Sequence, residues 1–338
     1  MTYRIITFFL ALVLLFSCSG HNDKLYDELE TCLAKRQEVT KAKEEKIADL
    51  KVELNKCKDE QGRFALCDSL VKHYYLFNSD SASKYIDLEM KLAKNLNRAD
   101  YINKVRILDA YTLATSGHYN DAETTMQNVD TAALDKKNLR LYYETWRWIY
   151  NTWEAYVKDE ARADIYAKKA DAYLDTLCMI EPGNTANGLY FKAEKQWNLG
   201  NLKEAEKNYL ACISKLDKSE RIYASACCAL AMVYEMQERY DDYEHYMILA
   251  AISDQSIPLK ENLAMQELAE YLSHHKMEYN QAQRYLVYSV EDAIYYNNRL
   301  RLTEIARKLP DIALGYQKAE DTIAKYNLTV IAIMGALA

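Results

Sequence analysis

The sequence predicts an all-α fold, an α-solenoid of stacked helical hairpins led by a long N-terminal helix. Three observations predict it. The 338 residues include only three prolines and eight glycines, too few for the turn chemistry that a sheet protein needs at every hairpin. Apolar residues recur at helical spacing along nearly the whole chain. A short pattern of turn, large residue, two polar residues and packing anchor returns about every forty residues.

Residues 1–17 read as a signal peptide. Arg4 supplies the charged start, 5–16 an apolar run and Ser17-Cys18 a cleavage site. The run is too short to span a bilayer, which takes about 20 apolar residues. Leu15-Phe16-Ser17-Cys18 looks like a lipobox, the signal at which bacterial lipoproteins acquire a diacylglyceryl thioether. Cys18 is therefore the expected lipid attachment, on the periplasmic side of a bacterial envelope membrane. In the plainer reading the signal is an ordinary one and Cys18 is incidental; Phe16 is bulkier than the usual residue at its position.

Residues 18–60 are expected to form a lipid-anchor linker and one long amphipathic helix. The stretch 24–60 holds no Gly or Pro, and Leu25, Leu29, Cys32, Val39, Ile47, Leu50, Leu54 and Cys57 make an apolar stripe. Arg36 and Lys43 interrupt that stripe, which favours docking on the first repeat as a cap over a coiled-coil seam.

Residues 61–312 carry the repeats. Ser116-Gly117-His118-Tyr119-Asn120-Asp121-Ala122 aligns with Leu199-Gly200-Asn201-Leu202-Lys203-Glu204-Ala205, and then with the segments ending at Tyr243 and Ala282. Ala82 and Ala163 extend the series, so the anchors fall at 82, 122, 163, 205, 243 and 282. A small anchor lets two helices approach closely, and the large residue three before it plugs the space beside the turn. The pattern is mechanical rather than chemical. It looks like the tetratricopeptide repeat, with the best fit at Leu230, Ala231, Tyr234, Tyr240, Met247 and Ala250. The step is longer than that family's 34 residues, and Tyr243 replaces a small anchor, so an irregular superhelix is expected.

Residues 313–338 form a C-terminal helix leading into an apolar stretch, 328–338. Eleven residues cannot cross a membrane. They read either as the first half of a truncated transmembrane segment or as a terminal helix docked on the last repeat. The first is preferred, because a free apolar tail is an aggregation liability.

Arg4 is the only charged residue of the first 17, so the remainder has 42 basic and 50 acidic residues and a net charge of −8 with neutral His. That balance, with no basic stripe, argues against nucleic acid as a partner of these residues. Once Cys18 is lipidated, seven cysteines remain, with no C-x-x-C pair. Helical thiols packed as small hydrophobes fit better than a disulfide framework. No histidine pair has metal spacing, and His274-His275 read as a solvated pair near a turn. Nucleophile elbow, phosphate loop, dinucleotide fingerprint and calcium loop are all missing from the sequence. No enzyme, cofactor or metal is expected.

Aromatics are the unusual feature. Of 29 tyrosines, several crowd with tryptophans into one segment holding Tyr142, Tyr143, Trp146, Trp148, Tyr150, Trp153 and Tyr156. A helix spreads these over several faces. Rigid amphipathic rings anchor peptides and stack on sugars, but repeat packing uses them too. If the chain has a ligand groove, this third hairpin is the place for it, with Tyr142, Trp146, Tyr150 and Trp153 as its residues.

Four stretches, 33–51 (LAKRQEVTKAKEEKIADLK), 77–96 (FNSDSASKYIDLEMKLAKNL), 247–272 (MILAAISDQSIPLKENLAMQELAEYL) and 290–312 (VEDAIYYNNRLRLTEIARKLPDI), are similar to a group of gut-bacterial membrane-tethered tetratricopeptide-repeat proteins, often labelled transcriptional regulators. The resemblance implies an exported repeat domain, one membrane span beginning at the apolar end, and a cytoplasmic tail. It also supplies the sensor reading. A protein, peptide or glycan would be the ligand, with the membrane engaged through lipid and span. Any DNA-binding output would lie outside these residues. Cys18 is an anchor that such a protein does not need, so a stand-alone scaffold lipoprotein for envelope complexes is the alternative.

Overall fold

The computed structural model describes residues 22–337; the signal segment and Cys18 lie outside the described residues. Fifteen α-helices and no strand are found among them. Two lead the chain, α1 (Asp23–Ala34) and α2 (Arg36–Lys56). Six hairpins follow: α3 (Glu60–Tyr74) with α4 (Ser79–Asn95), α5 (Ala99–Thr115) with α6 (Tyr119–Gln127), α7 (Lys136–Tyr156) with α8 (Glu160–Ile180), α9 (Ala186–Asn198) with α10 (Leu202–Ile213), α11 (Arg221–Met236) with α12 (Tyr240–Ser256), and α13 (Ala264–Tyr271) with α14 (Tyr279–Tyr296). The last helix, α15 (Arg299–Leu337), packs its first turns on α14. Among the described residues no helix is long and apolar enough to cross a membrane.

Each of the six anchors is the fourth residue of the second helix of its hairpin. Ala82, Ala122, Ala205 and Ala282 have no exposed surface, and Tyr243 is buried; Ala163 is half-buried. The turn before the helix has its own rule. Gly117, Gly200, Glu238 and Met277 each stand two residues before a second helix, and all four have positive φ. In the first three, the next residue's N–H donates back five positions, as from His118 to the Leu113 carbonyl at 2.8 Å. This is the glycine-favouring C-cap that ends a helix and reverses the chain. Elsewhere a side chain does the work. Asp59, Asn78, Asp135, Asp159 and Thr185 each accept a hydrogen bond from a first-turn N–H.

The predicted single N-terminal helix is divided at Lys35, and the division lets its halves serve two cores. Leu29 and Leu33 of α1 join the large core of α9–α15, whereas Ile47 and Leu54 of α2 join the core of α2–α5. The cap thus docks on the first hairpin, as its apolar stripe suggests, and also on the fifth, where Asn22 and Tyr26 donate to Glu244 at 2.9 and 2.8 Å.

The two ends of the array meet. In the turn between α3 and α4, the Leu76 carbonyl accepts from the Lys260 N–H at 2.9 Å. Asn78 and Ser79 donate to the Tyr295 and Tyr296 carbonyls at 2.8 and 2.7 Å, and the Tyr296 hydroxyl donates to the Tyr75 carbonyl at 3.0 Å. Asp292, with 2% of its side chain exposed, takes Lys260 at 2.7 Å, Arg36 and the Asn262 amide. The irregular superhelix expected from the repeat pattern is closed by these contacts into a turn with a hollow centre.

Cys67, Cys212 and Cys227 are buried, and the seven cysteines among the described residues are free thiols. Burial pushes the Cys67 and Cys212 thiols up to about 11 and that of Cys227 to about 12, so at neutral pH they pack as inert small hydrophobes.

Gly117 has φ +83°, and an added Cβ would sit 3.4 Å from the Arg299 side chain. Gly117→Ala is expected to cost about 1–2 kcal/mol, measured by urea unfolding.

Candidate binding site

The first helices of the second to fifth hairpins line the hollow, which divides into two adjoining compartments of about 350 and 230 Å³. Trp148, Tyr190, Arg221 and Ser225 form the wall they share. The larger compartment adds Tyr75, Tyr111, Arg140, Glu144 and Arg147. The smaller adds Asp254, Glu261, Asn262 and Arg301.

Periodicity explains which side chains of α7 point inward. Arg140, Glu144 and Arg147 follow i, i+4, i+7 spacing and so share a face, with Trp148 beside them. The Trp148 ring stacks on Tyr111 at 5.3 Å and donates its indole N–H to the Thr115 hydroxyl at 2.9 Å. The aromatic set on which the sequence reading placed a ligand lies on a different face. Trp146 stacks on Tyr173 at 5.6 Å and on Tyr150 at 5.5 Å, while Trp153 stacks on Tyr166 at 4.4 Å. Trp146 and Tyr150 are buried, and Tyr142 and Trp153 are half-buried. The four rings are brought together, but in a ladder between α7 and α8, not along the hollow.

Charge in the hollow is concentrated and mostly paired. Glu261 accepts from Arg221 at 2.8 Å and from Arg301 at 3.3 Å. Burial opposes its ionisation, yet the two guanidiniums outweigh burial and hold the carboxyl below its ordinary range. Arg301 also donates to Glu304 at 2.8 Å. Arg147 pairs with Glu194 of α9, and Arg140 lies 3.6 Å from Glu181 and 3.7 Å from Glu144. Asp254 is different: it is buried, no salt bridge reaches it, and burial pushes its carboxyl up to about 8. It is a neutral hydrogen-bond donor at pH 7.

The arginines were not singled out in the sequence, where each reads as one more surface charge among 43 basic residues. The signal that marks them is position: Arg140 and Arg147 sit seven apart on a helix otherwise dense with aromatics. Among the described residues no group of three or more His, Cys, Asp or Glu is placed to hold a metal ion. His274 and His275 are exposed in the turn after α13, where His275 stacks on Tyr271 at 5.1 Å.

Stacked hairpins of this register, with their first helices around a lined hollow, define a tetratricopeptide-repeat module, a class that works through binding other molecules. The model of the family described as the SusR N-terminal TPR domain matches residues 33–307. The chain belongs to that family. Comparison with curated proteins finds no match.

Two measurements follow from these placements. Trp146→Ala is expected to cost about 3–5 kcal/mol, read as a drop in melting temperature, since the ring is buried in the ladder. Asp254 titrates at 3.8 when unfolded and about 8 when folded, so between those values the folded state holds an extra proton and stability falls as pH rises. Asp254→Asn is expected to flatten the decline in melting temperature between pH 5 and pH 8.

Proposed function

We propose that this chain is the exported, membrane-anchored sensor module of a regulator, holding a protein, peptide or glycan ligand in the central hollow without catalysis. The observation that supports a relay is the course of α15. It starts on the wall of the hollow at Arg301, then continues as one helix to Leu337, into the apolar stretch that begins at Leu328. Pro310 interrupts the hydrogen-bond ladder of that helix, leaving the Ala306 carbonyl without its usual partner between the ligand end and the membrane end.

A second reading rests on Cys18. A lipid anchor suffices for a scaffold that transmits nothing, so the two readings part at α15. In the relay, ligand captured from solubilised envelope changes amide hydrogen exchange in α15 beyond Pro310. In the scaffold, capture leaves that exchange unchanged.

Location is tested separately. The protein is expected in the membrane fraction, cleaved before Cys18, with Cys18→Ser abolishing palmitate labelling. Recovery from the cytosol with Met1 retained would remove the exported reading altogether.

A further inference from the structure

We propose that the hollow is built for a ligand bearing a carboxylate, which seats in the larger compartment against Arg221, Arg147 and Arg140; this rests on the reading that the hollow is the ligand site. Three guanidiniums line that compartment, and Glu144 is the one carboxylate among its lining residues. Burial pushes the Glu144 carboxyl up, despite Arg140 nearby.

Apart from Glu144, 3.7 Å from Arg140, the counter-ions of the three arginines lie outside the lining of this compartment. Glu194 takes Arg147, Glu181 approaches Arg140, and Glu261 takes one edge of Arg221 from the smaller compartment. Each guanidinium is thereby held in place by a carboxylate, and Arg221 Nη2 also donates to the Tyr111 hydroxyl at 3.2 Å. Arg221 is the most open, with 36% of its side chain exposed. Its Nη1 is covered and lacks a hydrogen-bond partner, a deficit that a ligand oxygen would correct after a small rotation of the planar group. Guanidinium forks match carboxylates in two-point geometry.

Other charge types fit less well. A cation would find Glu261 already shared by two arginines and Asp254 neutral. An uncharged ligand without an acceptor would leave the covered Nη1 donor of Arg221 unpaired. The Trp148 and Tyr190 rings between the compartments offer faces for the body of the ligand. A compact carboxylate has two sources here, a uronic-acid sugar or the free C-terminus of a short peptide.

The test is calorimetric titration of the full chain in detergent with digalacturonate, the uncharged digalactose, trialanine and trialanine amide. One acid is expected to bind at least about tenfold tighter than its uncharged counterpart, the scale of a charged hydrogen bond. Which acid does so identifies the source. Arg221→Gln is expected to erase the difference. Should that variant misfold, Glu144→Gln gives the opposite sign, a severalfold gain for the acid alone. Equal binding of acid and uncharged partner leaves the hollow as the site but overturns the carboxylate. Absence of binding by all four probes also overturns the carboxylate. Acid binding indifferent to both substitutions places the ligand elsewhere, and the reading of the hollow falls with it.

Discussion

Closure of the array depends on one buried anion. Asp292, at the C-terminal end of α14, is met by Arg36 from the N-terminal segment, Lys260 from the linker after α12, and the Asn262 amide. A carboxylate this far from water is costly unless it is paired, so its partners are obligatory. Their positions tie three segments distant in sequence to one point. The hollow inherits that constraint. Its walls come from Tyr75 near one end of the array and Arg301 near the other, and they face one another only because the ends are joined.

The aromatic ladder of the third hairpin and the charged wall of the hollow are two faces of the same helix. Trp146, Tyr150 and Trp153 clamp α7 onto α8, which fixes the rotation of α7 about its axis. That rotation decides where Arg140, Glu144, Arg147 and Trp148 point. Packing on one face of a helix thereby determines the geometry of the side chains on the other.

The sequence makes the repeats legible down to the residue, because the small anchors and the turns before them are local features that a linear pattern records. Ala82 through Ala282 all take the same place in their hairpins. Closure is not legible, since the contacts of Leu76 with Lys260 and of Ser79 with Tyr296 span some two hundred residues and end on backbone carbonyls common to every residue. The crowding of aromatics at 142–156 points to a helix that also lines the hollow, but Trp146, Tyr150 and Trp153 stand on its other face. A ring and a guanidinium both pack well in a core, and only the tertiary arrangement says which face meets another helix and which meets a hollow. The break at Lys35 is silent for the same reason: nothing in the stripe announces that its halves belong to different cores.

The straddling N-terminal segment has a consequence for how the chain reaches its final form. Residues 23–56 leave any channel that passes the chain N-terminus first before the hairpins do, yet the α12 and α14 contacts of α1 wait until those helices have emerged. Contacts this distant form late, because the intervening loop must close before they give any return. Until then Leu29 and Leu33 are bare apolar side chains on a charged helix, the kind of surface that chaperones hold. Enclosure of the hollow therefore waits for α14, because a chain interrupted before Asp292 lacks the groups that join the two ends.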